Sequence, residues 1–255
     1  MAGILRYFRR KSVARQPFPD AWRAILRGHT PFYAELSTEE RVRFERDLLV
    51  FAQEKYFIGA GGLEISDEIR VVISAAAVRL VLHLDLSYYD RLTEIIVYPE
   101  AFLPPQEEDA YYGEVPEPTD FHLGESHQWG VVVFSWDDVL AGFEDPEDGH
   151  NTAYHEFAHV LDRATGDYDG TPALHRMSDY RTWAQVMAEH FSKLQDGLHG
   201  DALDDYGATN EAEFFAVATE SFFETPAKLR EQAPSLYAEL ARFYRNDPAG
   251  DHPAG

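Results

Sequence analysis

His155, Glu156, Phe157, Ala158 and His159 carry the clearest chemistry in the chain. Residues four apart on a helix share one face, so both imidazoles can reach a single metal ion. Glu156 follows the first histidine and stands where it can take a proton from a water at that ion. The neighbours Tyr154, Phe157, Ala158, Val160 and Leu161 are apolar, so the helix is expected to be mostly buried. Buried imidazoles need partners, and a metal would supply them. Asn151 is suited to cap the start of this helix, and Gly166 to close its end in a left-handed conformation. Asp162 lies on the face of the two histidines. Its carboxylate would either take the second N–H of a ligand histidine or stand as a solvated acid at the helix end.

A catalytic zinc usually has three protein ligands and one open position. The chain has no cysteine, so any such site uses His, Asp or Glu. A metzincin pattern would need Gly in place of Asp162 and His in place of Thr165, and the chain has neither. The remaining candidates are His175, His190, His199, Glu189, Asp167, Asp169, Glu211, Glu213, Glu220 and Glu224. Glu213 is followed by Phe214, Phe215, Ala216 and Val217, so it opens an apolar helix where an unpaired carboxylate is costly. Glu211 and Glu213 are two apart and point to different sides. Glu213 and Glu220 share a face, so spacing leaves both open, one as ligand and one as an acid behind the ligands.

The surrounding pattern is helices, then strands, then helices, which predicts an α+β domain. A capping box at Ser37–Glu40 opens a helix to about Tyr56. A nearly apolar run from Ser66 to Leu82, broken by Arg70 and Arg79, reads as a core helix rather than a membrane span. Glu94–Tyr98 and Trp129–Trp136 read as strands. The second could pair with extended substrate or could be an ordinary interior strand. A weaker strand is expected at Phe121–Glu125. Residues 103–119, rich in proline and acid, read as an excursion or flap. The helices that follow are expected over Ser178–Leu194, from about Thr209 to Glu224, and after Pro234.

The chain has 255 residues with a net charge of -23, which argues against a broad nucleic-acid-binding face. Its hydrophobic content of 45% is ample for a core. The first residues carry Arg6, Arg9, Arg10, Lys11 and Arg15 without an acid and lack the apolar run of a signal peptide. The expected organisation is a basic arm over 1–17, one domain over 18–248 and a disordered tail over 249–255. Absence of cysteine suits a cytoplasmic location.

The stretches His155–Asp162, Tyr206–Phe215 and Gly130–Trp136 resemble the Mlc titration factor A family, bacterial zinc-dependent peptidases also called DgsA anti-repressors. The likeness spans about Phe18 to Pro248. It implies an α+β zincin-type domain with a small mixed sheet and a gluzincin-type site. The Tyr206–Glu213 segment is also similar to the matching segment of the anthrax lethal factor protease. In that pattern Glu213 matches the third zinc ligand and Tyr206 a tyrosine near the substrate carbonyl. The resemblance thus implies one zinc per chain held by His155, His159 and Glu213, with Glu156 and Tyr206 catalytic. A peptide or protein would be the substrate, in aminopeptidase-like or short-peptide hydrolysis. It also implies a second role, sequestration of an Mlc-like transcriptional repressor, which needs no catalysis.

Overall fold

The structure, a computed structural model, describes residues 2–100 and 130–250. The expected flap over 103–119 and the expected strand Phe121–Glu125 lie outside the described residues. The chain opens with α1 (Ala2–Val13), α2 (Asp20–His29), α3 (Phe32–Glu35) and α4 (Thr38–Glu54), then β1 (Tyr56–Gly59) and α5 (Asp67–Leu80). A 3₁₀ turn at Leu86–Tyr89 leads to β2 (Glu94–Tyr98), and β3 (Val131–Ser135) runs straight into α6 (Trp136–Glu144). There follow α7 (Thr152–Asp162), α8 (Asp179–Gln195), a 3₁₀ turn at Asp205–Ala208, α9 (Glu211–Glu224), α10 (Pro226–Gln232) and α11 (Pro234–Tyr244). This is an α+β fold.

Local signals set most of these boundaries. Ser37 accepts from the Glu40 N–H while the Glu40 carboxylate accepts from the Ser37 N–H, the expected capping box. Ser66 caps α5 and Ser135 caps α6. Helix α5 is buried almost all round and packs against α2, α4 and α7. The basic N-terminal segment is tied down: Arg10 pairs with Glu54 at 2.8 Å and with Asp90 at 2.7 Å.

The sheet has the order β1–β2–β3, with both pairings parallel. Tyr56 faces Glu94, and Glu94 faces Val131. The described sheet is therefore wholly parallel rather than mixed. A parallel pair needs a crossover, and α5 lies in the one between β1 and β2. Gly130 enters β3 with φ of 95°, and a Cβ there would collide with the carbonyl oxygen of Arg91. That close approach lets the Gly130 carbonyl accept from Thr93 N–H at 2.7 Å.

Four boundaries differ from the sequence reading. β1 begins at Tyr56, where helix α4 was expected to end and no strand was expected. The expected strand to Trp136 stops at Ser135, and helix α6 follows it directly. The segment after Pro226 is helix α10, with the proline in its first turn. Of the expected tail, Ala249 is held, its N–H donating at 2.9 Å to the Tyr237 hydroxyl, which itself donates to Asp247.

Candidate metal centre

The histidine helix is α7, and the core fixes its rotation. Phe157, between the two histidines, has ring centroids of Phe51, Tyr89 and Phe134 within 5.9, 5.6 and 5.3 Å. With Phe157 held there, His155 and His159 turn toward α9, against which α7 packs closely. Asn151 caps the helix by accepting from Tyr154 N–H at 3.0 Å. At the other end the cap is Arg163 in right-handed conformation; Gly166, with φ of 107°, lies in the following turn rather than closing the helix.

Three atoms converge between α7 and α9. His155 Nε2 lies 3.1 Å from His159 Nε2 and 3.0 Å from Glu213 Oε2, and His159 Nε2 lies 3.2 Å from the same carboxylate oxygen. Ligand atoms of a tetrahedral zinc at about 2.0–2.1 Å stand roughly 3.3 Å apart. The observed triangle is close to that spacing, and two imidazoles with one carboxylate are a donor set zinc accepts. Among the described residues this is the group of three whose ligand atoms gather to within 4.8 Å.

The other candidates are engaged elsewhere. Glu211 is exposed on the far side of the α9 start. His175 Nε2 bonds the Phe243 carbonyl at 2.8 Å, and His190 and His199 bond each other at 3.0 Å. Glu189 pairs with Lys193, and Asp169 turns back on Thr171 N–H. Asp167 is exposed. Glu224 accepts from the Asn151 side chain at 3.1 Å.

Glu220 backs the histidines. Its Oε1 lies 2.7 Å from His155 Nδ1, while its Oε2 accepts the Asn151 N–H at 2.7 Å. It therefore holds the His155 ring with Nε2 facing the triangle. This was the part offered to Asp162, and Asp162 does not take it. That residue is fully buried, but its Oδ2 accepts from Gly170 N–H at 3.0 Å and its Oδ1 has no partner. Burial raises the Asp162 pKa. Its role is to pin the loop 166–172, which Gly170 also presses against α9: a Cβ there would strike the Glu211 carbonyl oxygen.

That loop brings in a residue the sequence reading missed. Tyr168 O–H lies 3.3 Å from His159 Nδ1 and 3.5 Å from Glu213 Oε1, with the Arg163 guanidinium 4.2 Å from its ring centroid. The expected tyrosine, Tyr206, sits in the 3₁₀ turn ahead of α9, with its ring 6.0 Å from that of His155. It is 56% exposed. Burial raises both tyrosine pKa values, and the charges of Glu213 and Glu156 add to the effect. Both phenols therefore remain protonated donors at neutral pH. Glu156, half-buried on α7, is close enough for its charge to be felt by His155, Tyr168 and Tyr206.

The electrostatics favour positive charge. Burial alone would lower the His155 pKa, yet hydrogen bonds to Glu213 and Glu220 lift it to about 10. Burial would raise the Glu213 pKa, yet His155 and His159 depress it strongly. Either a proton or a metal ion answers the same field.

Residues 5–245 match the family model of glucose-regulated metallo-peptidase M90. The chain is 39% identical over 247 residues to an uncharacterized Synechocystis protein, covering 94% of this chain and 89% of that one. It is 30% identical over 233 residues to Mlc titration factor A of Yersinia pestis, covering 89% and 84% of the two chains. The Yersinia pseudotuberculosis protein of the same name matches to the same degree.

Proposed function

The chain belongs to the glucose-regulated metallo-peptidase M90 family, and on that premise we propose that it is a zinc-dependent peptidase, cleaving short peptides in an aminopeptidase-like manner. The observation that carries this reading is the triangle of His155, His159 and Glu213 with Glu156 on the same helix. A bound zinc supplies Lewis acidity and a water nucleophile whose pKa falls towards about 7.

The chain's own residues do the rest. His155, His159 and Glu213 hold the ion, and Glu220 keeps the His155 ring in place. Glu156 takes the proton from the attacking water and passes it to the leaving amine, so the peptide C–N bond breaks without a free amide anion. Tyr206 O–H donates to the carbonyl oxygen as negative charge gathers there. Tyr168, bonded within the ligand set, orients His159 and Glu213 rather than the substrate. Among the described strands β3 lies at an edge of the sheet, where an extended peptide can pair. Cysteine-free composition supports a cytoplasmic location. Among the described residues no helix is long and apolar enough to cross a membrane.

The name of the Yersinia relatives favours a second reading, titration of an Mlc-like transcriptional repressor without catalysis. Glu156 separates the two, because a pure binder needs no base beside the metal. The deciding experiment measures metal content and peptide hydrolysis for wild type and Glu156→Gln. Metal-dependent hydrolysis lost in the variant supports the peptidase, and no hydrolysis by metal-loaded wild type removes it.

A further inference from the structure

A cavity of about 540 Å³, not lined by His155, His159 or Glu213, opens between α3, the ends of α5 and α9, and the start of α7. That volume is in the range of small-molecule sites. Phe32, Phe143, Tyr154 and Phe223 give it aromatic walls. Two polar side chains in its lining stand out, because each has a buried atom with no partner. Arg79 has its Cζ 4.6 Å from the Phe32 ring centroid and 5.7 Å from that of Phe223, and its Nε bonds nothing. Glu224 is 7% exposed; Asn151 holds its Oε1 and leaves Oε2 unpartnered.

Buried polar atoms are nearly always satisfied, and an orphan needs a cause. Here one orphan is a guanidinium N–H and the other a carboxyl oxygen, and both side chains line one cavity. The simplest way to satisfy both is one molecule carrying both charges. We propose that this cavity binds a zwitterionic apolar amino acid or short peptide. Its ammonium meets Glu224 Oε2, its carboxylate meets Arg79, and its side chains lie against the four aromatic rings. Glu224 sits in a field of acids: burial pushes its carboxyl up to about 8 against the Asn151 hydrogen bond, and Asp148, Glu220 and Asp145 add to the rise. An ammonium group relieves that field, whereas a second anion would worsen it.

The inference stands apart from the peptidase reading, and its test is built to stay apart. Leu-Phe dipeptide, its N-acetyl derivative and its C-terminal amide are titrated into the full-length Glu156→Gln chain by calorimetry, so that the probe is not consumed. The dipeptide is expected to bind saturably, and each blocked derivative about tenfold or more weaker, the effect of losing one charge-assisted bond. Glu224→Gln should erase the preference for the free amine but keep that for the free acid. Arg79→Gln should do the reverse. The comparison of the three probes in Glu224- and Arg79-intact protein needs neither variant to fold. Absence of saturable binding, or equal binding of all three probes, overturns the proposal. So does loss of binding in His155→Ala/His159→Ala, which would move the probe to the metal triangle.

Discussion

Glu220 Oε1 lies 2.7 Å from His155 Nδ1, so the ring nitrogen facing away from the triangle is held by an acid on the neighbouring helix. The same carboxylate accepts the Asn151 N–H through its other oxygen. One side chain thus fixes both the first histidine and the N-terminus of its helix. The expected cost of losing it, Glu220→Ala, is roughly 10–100-fold in zinc affinity. Chelator competition measures this, and unchanged affinity would leave Glu220 a purely structural acid.

Glu213→Ala should weaken zinc more than Glu220→Ala does, because it removes a ligand rather than the support of one. Glu211→Ala should change little, since that side chain is exposed. The same chelator titration ranks the three. A ranking with Glu220→Ala or Glu211→Ala weakest would refute Glu213 as the third ligand.

Purified protein should carry about one zinc per chain by elemental analysis, and the double variant His155→Ala/His159→Ala should carry none. Glu156→Gln should keep its zinc and lose hydrolysis by about 10²–10⁴-fold, the usual contribution of a positioned base. Full zinc in the double histidine variant would refute the site.

The two tyrosines should part company. Tyr206→Phe should lower kcat more than it changes KM, as an oxyanion donor acts mainly in the transition state. Tyr168→Phe should loosen zinc, because its hydroxyl touches His159 and Glu213. Turnover unaffected by Tyr206→Phe would take that residue out of the mechanism.

Glu224 gives a pH test of stability. Its folded-state pKa is raised from 4.5 to about 8. Such a group contributes stability that is fully present below pH 4.5 and lost as pH rises through 8. The Tm of wild type relative to Glu224→Gln should therefore fall between those two values. Thermal melts at several pH values check this, and a difference independent of pH would show that folding does not raise the Glu224 pKa.

The sequence displayed the histidine pair because four-residue spacing on a helix is itself geometry. The i+7 relation of Glu220 to Glu213 placed both on one face, and the family pattern chose between them. Asp162 was misjudged for a physical reason: sharing a face with the histidines brought it to the loop's Gly170 N–H, while α9 supplied the acid for His155. Tyr168 had no periodicity to reveal it, since it reaches the site on a loop pinned by contacts with Asp162 and Glu211. Strand β1 was hidden because it has four residues, of which Tyr56 and Ile58 are exposed, directly after a helix. Helix α6 was hidden because Ser135 ends the strand and caps the helix at once.

The junction at Asn151 also bears on how the molecule assembles. The two histidines are four residues apart and can form with their own helix. Glu213 lies 58 residues beyond His155, and the partners of Asn151 on α9 are 69 and 73 residues away. Closing loops of that length precedes any reward from the contacts they bring. During synthesis the histidine pair therefore emerges well before its acid partners, and the complete trio waits for α9 to dock. Completion of the trio is therefore tied to the long-range contacts of α9 rather than to the helix that bears the motif.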